Sequence, residues 1–242
     1  MKNRDELLHQ LSTGIQAITV AMPALLQSDS VGAAIGLGGV AVVSVIENVL
    51  RREAKLNHDV QEALRDRDIG SRVDFESVKV DEFLALYVRA KDTASKSEKE
   101  QKLRYIRNFL VNAITIPLST DPDKERYLRL IDELSFRELE HFIRFCRTAA
   151  DSNYQTIDQF IESSKPASLM LDAYARSTLG LKVSDRATPE LMNLEVDLRV
   201  AFRHFESVGL LDPIGMGGET YMYRTNGFSP RFLAFILDPA PK

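Results

Sequence analysis

Apolar positions in this chain recur mostly every three to four residues, the spacing that lays one stripe of a helix against a core. The period predicts helices near 4–27 and 40–66, joined by a loop around Asp29 to Gly39, with Pro23 bending the first helix. Ile69-Gly70-Ser71 then interrupts the pattern. Phe83, Leu84, Leu86, Tyr87 and Ala90 mark an amphipathic helix over 80–95, followed by a polar connection from Ser95 to Gln101. Leu103, Ile106, Phe109, Leu110, Ala113 and Ile114 form the next stripe, which ends before Pro117 because proline biases Ile116 away from helix. Thr120-Asp121-Pro122-Asp123 reads as a turn and cap for a helix over about 123–133, with Tyr127, Leu130, Ile131 and Leu134 inward. Ser135 and Glu138 have the spacing of a capping box and open a helix whose inner face holds Leu139, Phe142, Ile143 and Cys146.

Further along, 155–163 and 167–178 read as helices separated by Lys165-Pro166, with Gly180 closing the second. Thr188-Pro189 is a helix start, threonine as cap and proline at the first position. Leu191, Leu194, Leu198, Phe202, Phe205 and Val208 share one face of that helix, and Gly209 ends it. A short hairpin follows: Leu210-Leu211-Asp212-Pro213, a turn from Gly215 to Gly218, and a returning strand from Thr220 to Thr225. Ser229-Pro230 is expected to cap a last short helix carrying Phe232, Leu233, Phe235 and Ile236. The chain is therefore expected to be mainly α, organised as residues 1–70, 71–182 and 183–242.

Hydropathy singles out the front of the chain. Leu7 to Ile46 carries one formal charge, Asp29. A stretch of that kind is buried in its own domain, buried against a partner, or inserted in a bilayer. Val31 to Ile46 is an uncharged run just short of the roughly 18–20 residues of a spanning helix. Gly32 and Gly36 have small-xxx-small spacing, with Gly38 and Gly39 beyond, so this segment is a candidate for close packing or membrane contact. The mixed charges of Glu47, Arg51, Arg52, Glu53 and Lys55 favour a hairpin buried in protein; Arg51-Arg52 after an apolar run also suits an anionic lipid surface.

With a net charge of −4, the protein is not a general nucleic-acid coat. The one cationic cluster is Arg89, Lys91, Lys96, Lys99, Lys102, Arg104 and Arg107. Arg104, Arg107 and Asn108 are expected on the side opposite Ile106 and Leu110, either a solvated face or a phosphate-contacting one. Cys146, the single cysteine, sits among Phe142, Ile143 and Phe145 as a structural thiol, which suits a reducing, cytoplasmic setting. The start, MKNRDELLHQ, mixes signs unlike a cleavable signal peptide. His9, His58, His141 and His204 lie on separate elements without metal-ligand spacing. Gly36-Leu37-Gly38-Gly39 lacks the strand and lysine of a phosphate cradle, and no serine lies in a nucleophile elbow. The expectation is a non-enzymatic protein with no cofactor, no metal and no small-molecule substrate.

The run EKEQKLRYIRNFLVNAI, followed by a proline-containing turn and YLRLIDELSFRELEHFIRF, resembles a group of poorly characterised bacterial helical proteins. In that group a helix with the pattern L-R-N-x-x-x-N-A precedes F-L-x-L-I-D-x-L-T-x-x-H. The chain departs from it at Ser135, where threonine is usual, and at His141, which lies a little further along. A looser likeness is to all-helical abortive-infection proteins with an apolar, glycine-bearing front half. These likenesses assign no functional residues; they imply a bacterial cytoplasmic protein with phage defence as its setting. The segment S-V-G-L-L, a glycine-rich turn and Y-R-T-N-G-F-S-P-R-F-L resemble the end of winged-helix domains. The fold class implied is a helical bundle with an N-terminal apolar glycine-rich hairpin and a small C-terminal winged-helix-like α+β unit.

A winged helix raises the question of DNA. The helix over 190–208 carries Glu190, Glu195, Asp197 and Glu206 against Arg199 and Arg203, and the hairpin adds Asp212, Glu219 and Arg224. That balance favours a protein-contact role, with self-association as one form of it. Arg199, Arg203, His204 and Arg224, with Arg104 and Arg107, are the candidate partner or nucleic-acid contacts. A membrane effector inserting 13–46 and a DNA-binding transcriptional regulator are the alternatives.

Overall fold

In the computed structural model the described residues are 4–26, 39–97, 99–153, 156–182, 188–214 and 221–238. They form α1 (Arg4–Leu26), α2 (Gly39–Arg65), α3 (Arg67–Arg72), α4 (Val80–Lys96), α5 (Lys102–Asn112), α6 (Lys124–Glu133), α7 (Phe136–Ser152), α8 (Ile157–Ser163), β1 (Ser168–Met170), α9 (Leu171–Thr178), α10 (Pro189–Ser207), β2 (Leu211–Ile214), β3 (Met222–Thr225) and α11 (Phe228–Ile236). The protein is mainly helical, with a small antiparallel sheet near the C-terminus. The chain divides into two compact units, Met1–Glu133 with Phe235–Lys242, and Leu134–Ala234.

The first unit is built on α1, α2, α4 and α5. Leu7, Leu11 and Ile15, one helical turn apart, are buried on the inner side of α1. Gly14 lets that helix close on α4: a Cβ there would lie 2.7 Å from Leu84 Cδ1. The side chains of Leu7, Leu11 and Ile15 are packed in protein. Helix α1 continues through Pro23 to Leu26. The expected loop, with Asp29, Gly32, Gly36 and Gly38, lies outside the described residues, whereas Gly39 opens α2. No helix among the described residues is long and apolar enough to cross a membrane.

Ile69-Gly70-Ser71, expected as a break, lies inside α3, where Ile69 and Gly70 are buried. Asp66 caps this short helix through the backbone N–H groups of Asp68 and Ile69, which offsets the cost of its glycine. Helix α5 ends at Asn112, earlier than the apolar stripe, because Thr115 enters an isolated bridge with Val73. Phe235 joins this unit's core, its ring 4.7 Å from that of Tyr127 and 5.7 Å from that of Phe109.

In the second unit the three strands are ordered β1-β3-β2, both pairings antiparallel. Leu169 pairs with Tyr223, and Pro213 with the same residue from the other side. β1 corrects the expectation of continuous helix over 167–178. The Ala167 N–H donates to Thr225 Oγ1 at 2.8 Å, and the Leu171 N–H to the Tyr221 carbonyl at 2.9 Å, so pairing with β3 overrides local helical preference. Beneath the sheet lies an aromatic core: Phe202 stacks within 4.9–5.6 Å of Phe145, Tyr174, Phe205 and Tyr223. Both α9 and α10 end in a left-handed glycine, Gly180 at φ 68° and Gly209 at φ 74°. In each case the next residue donates back across the turn, Leu181 to Arg176 and Leu210 to Phe205. The cap of α11 is Asn226 rather than Ser229-Pro230: its side-chain oxygen accepts from the N–H groups of Phe228 and Ser229. The expected turn from Gly215 to Gly218 and the start of the returning strand at Thr220 lie outside the described residues.

Candidate functional site: the outer face of α10

Helix α10 has two apolar faces. One holds Leu191, Leu198, Phe202 and Phe205, buried as expected. The other was not anticipated: Met192, Val196 and Val200, spaced by four residues, are 59%, 59% and 69% exposed. They are flanked by exposed Asn193, Asp197, Arg203 and Glu206. The pattern was present in the sequence, but the longer Leu and Phe stripe masks it. Three exposed apolar residues on successive turns are more than scattered surface carbon.

The basic side chains expected to contact a partner are distributed differently. His204 is half-buried, and its Nδ1 lies 2.7 Å from Glu138 Oε1, the residue that also completes the capping box of α7. It belongs to the α7–α10 packing rather than to an outer contact face. Arg199 lies over the Tyr221 ring, its guanidinium carbon 5.0 Å from the centroid, a cation–π arrangement that holds it against the sheet. Arg224 faces Asp212 across the hairpin at 3.9 Å. Arg203 remains exposed and forms no ion pair among the described residues. On α10, then, one outward arginine stands among Glu190, Asp197 and Glu206.

Electrostatics around the helix reinforce this. Glu195 faces Asp172 of α9, and burial together with that neighbouring carboxylate raises its pKa above the usual carboxylate range. Asp172 accepts from Arg176 Nε at 2.9 Å. On the other side, burial opposes ionisation of Glu138, but hydrogen bonds from His204 and Ser135 outweigh it and lower its pKa. Asp197 lies 3.5 Å from Arg137.

The cationic cluster of the first unit does not form a face. Lys91 is 1% exposed and lies 2.9 Å from Glu53 on α2. Lys102 is buried and donates to the Asp132 carbonyl at 3.0 Å. Arg89 pairs with Glu125, and Lys96 with Asp92. Arg104 and Arg107 both pair with Asp238. Asn108, expected on the outer side, is fully buried and donates to the Ile236 carbonyl at 3.0 Å; Asn112 donates to the carbonyls of Phe235 and Leu237. These two asparagines satisfy the last carbonyls of α11, which a helix end otherwise leaves open.

Cys146 is fully buried, and its surroundings push the thiol far above its ordinary range, so it is no nucleophile. His141 lies 3.1 Å from the Tyr174 hydroxyl, and burial lowers its pKa. A cleft of about 420 Å³ in the first unit is lined by Lys79, Glu82, Asp121, Lys124 and Glu125 among others. Its charges answer one another: Lys79 pairs with Glu82, and Lys124 donates to the Ser119 carbonyl. His58, Asp59 and Glu62 bring donor atoms within 4.8 Å of one another on the surface of α2, and none of the three is buried. Compared with known proteins, the chain matches no family model, no curated protein and no solved structure.

Proposed function

We propose that the second unit is a winged-helix module turned to protein contact, and that the chain is a non-enzymatic interaction or regulatory protein, with bacterial phage defence as the setting suggested by its sequence resemblance. The topology supports the fold: helix, β1, α9, α10, then the β2–β3 hairpin with β1 on the free side of β3, is the winged-helix order. In such a module α10 stands where a DNA-reading helix enters the major groove.

The observation that carries the function is the outer face of α10. A groove-reading helix offers Arg, Lys, Asn or Gln to bases and phosphates. This one offers Met192, Val196 and Val200, edged by Glu190, Asp197 and Glu206. Apolar side chains gain from leaving water against a partner, at roughly 25 cal/mol per Å² buried, whereas the carboxylates repel phosphate. A photo-cross-linking residue at Val200 of the full-length chain is expected to yield protein adducts in cells, and one at exposed Glu140 on α7 to yield far fewer. Adducts to nucleic acid at Val200, or equal yields at both positions, contradict the reading.

A further inference from the structure

Helices α9 and α10 each close on a glycine of their own, Gly180 and Gly209. No such residue ends α11, where Leu237, Asp238 and Pro239 follow Ile236. Its last carbonyls are met instead by side chains of α5, at least 123 residues earlier in the chain. Asn108 donates to the Ile236 carbonyl, and Asn112 to those of Phe235 and Leu237 at 3.1 Å and 3.0 Å. The Phe235 ring lies against Tyr127 and Phe109, while Arg104 and Arg107 pair with the Asp238 carboxylate. These holds come from α5 and α6, so the end of α11 depends on being docked: released, it has carbonyls open to water and no local cap to keep it helical. We propose that residues 235–238 are a latch, which undocks from α5 and α6 while the rest of the first unit stays folded.

Several features make this segment easier to release than the helices around it. The first unit is otherwise the continuous stretch Met1–Glu133, into which the segment is added from elsewhere in the chain. Each hydrogen bond given up by Asn108 and Asn112 is exchanged for one to water, which keeps the net loss small. The Arg104 and Asp238 side chains are 66% and 48% exposed, so their pairing is weak and screened by salt. Opening uncovers a site that reads a helix end: two amides for carbonyls, an aromatic pair for a ring and two guanidinium groups for a carboxylate. Its occupant is this chain's own Phe235 to Asp238.

Thiol labelling of the full-length protein with N-ethylmaleimide, an uncharged reagent, tests the latch. Ile236→Cys places a thiol in it, and Ala90→Cys places one in the core of the same unit; both positions are fully buried. Cys146, buried in the second unit, reports unfolding there in the same sample. Labelling is read at each cysteine by peptide mass spectrometry. The thiol of I236C is expected to react at least about thirtyfold faster than that of A90C, with Cys146 unlabelled over the same time. Asp238→Asn, at an exposed position, and a rise in salt from about 50 mM to 1 M are each expected to speed I236C labelling roughly two- to fivefold and to leave A90C unchanged. Asn112→Ala should speed it at least about tenfold. Equal rates at positions 236 and 90, an I236C rate indifferent to both Asp238→Asn and salt, or an Asn112→Ala effect of the same size at both positions overturns the proposal, because residues 235–238 then open only with the whole unit.

Discussion

Lys91 is a buried charged residue of the first unit. Its side chain is 1% exposed and its ammonium lies 2.9 Å from the Glu53 carboxylate, itself 12% exposed. Lys91→Met strands that carboxylate among α1, α2 and α4, so a loss of roughly 3–5 kcal/mol is expected in urea unfolding. The double variant Lys91→Met/Glu53→Met removes both charges and should recover most of it. An unchanged midpoint in the single variant would show the pair to be solvated. Lys91 was not legible as a core residue: a charge pattern identifies a polar position but not which neighbouring helix covers it. The same holds for Asn108, which reads as an outward companion of Arg104 and Arg107 yet closes the end of α11. By contrast Phe83, Leu86, Tyr87 and Ala90 were legible, because a stripe repeated every three to four residues states its own buried face.

At the scale of elements, local signals survived best. The capping box of Ser135 and Glu138 forms with both bonds, 2.8 Å and 3.2 Å, and the Thr188 hydroxyl accepts from the Leu191 N–H as its position before Pro189 implies. Glu138 ties the start of α7 to His204 on α10, and its carboxyl titrates below the ordinary value of 4.5. A depressed carboxyl contributes stability fully above its unfolded value and loses it as pH falls through the folded one. Thermal melts should therefore show the parent losing stability below about pH 4.5 more steeply than Glu138→Gln, which at neutral pH should cost about 1 kcal/mol. Parallel pH profiles would contradict that assignment. What local signals could not supply was β1. Ser168-Leu169-Met170 becomes a strand only because β3, more than fifty residues later, offers it a partner. The exposed stripe on α10 was hidden for a related reason: periodicity finds the stronger face and is silent about a second one.

For the whole molecule, the distribution of charge and apolar surface decides more than the net charge of −4. Arginines and lysines that look like a basic cluster along the chain are spent on Glu53, Asp92, Glu125 and Asp238 inside the first unit. In the second unit His204, Arg199 and Arg224 are taken up by Glu138, Tyr221 and Asp212, which leaves α10 with an apolar outer face in an acidic frame. The central claim is that this face meets protein and not DNA. Fluorescence anisotropy of a labelled mixed-sequence duplex, titrated with the full-length chain at about 25 mM salt, tests it most directly. The account predicts no binding up to roughly 100 µM, where non-specific DNA-binding proteins are already saturating. Micromolar affinity that falls steeply with added salt and is lost in Arg203→Ala would contradict it.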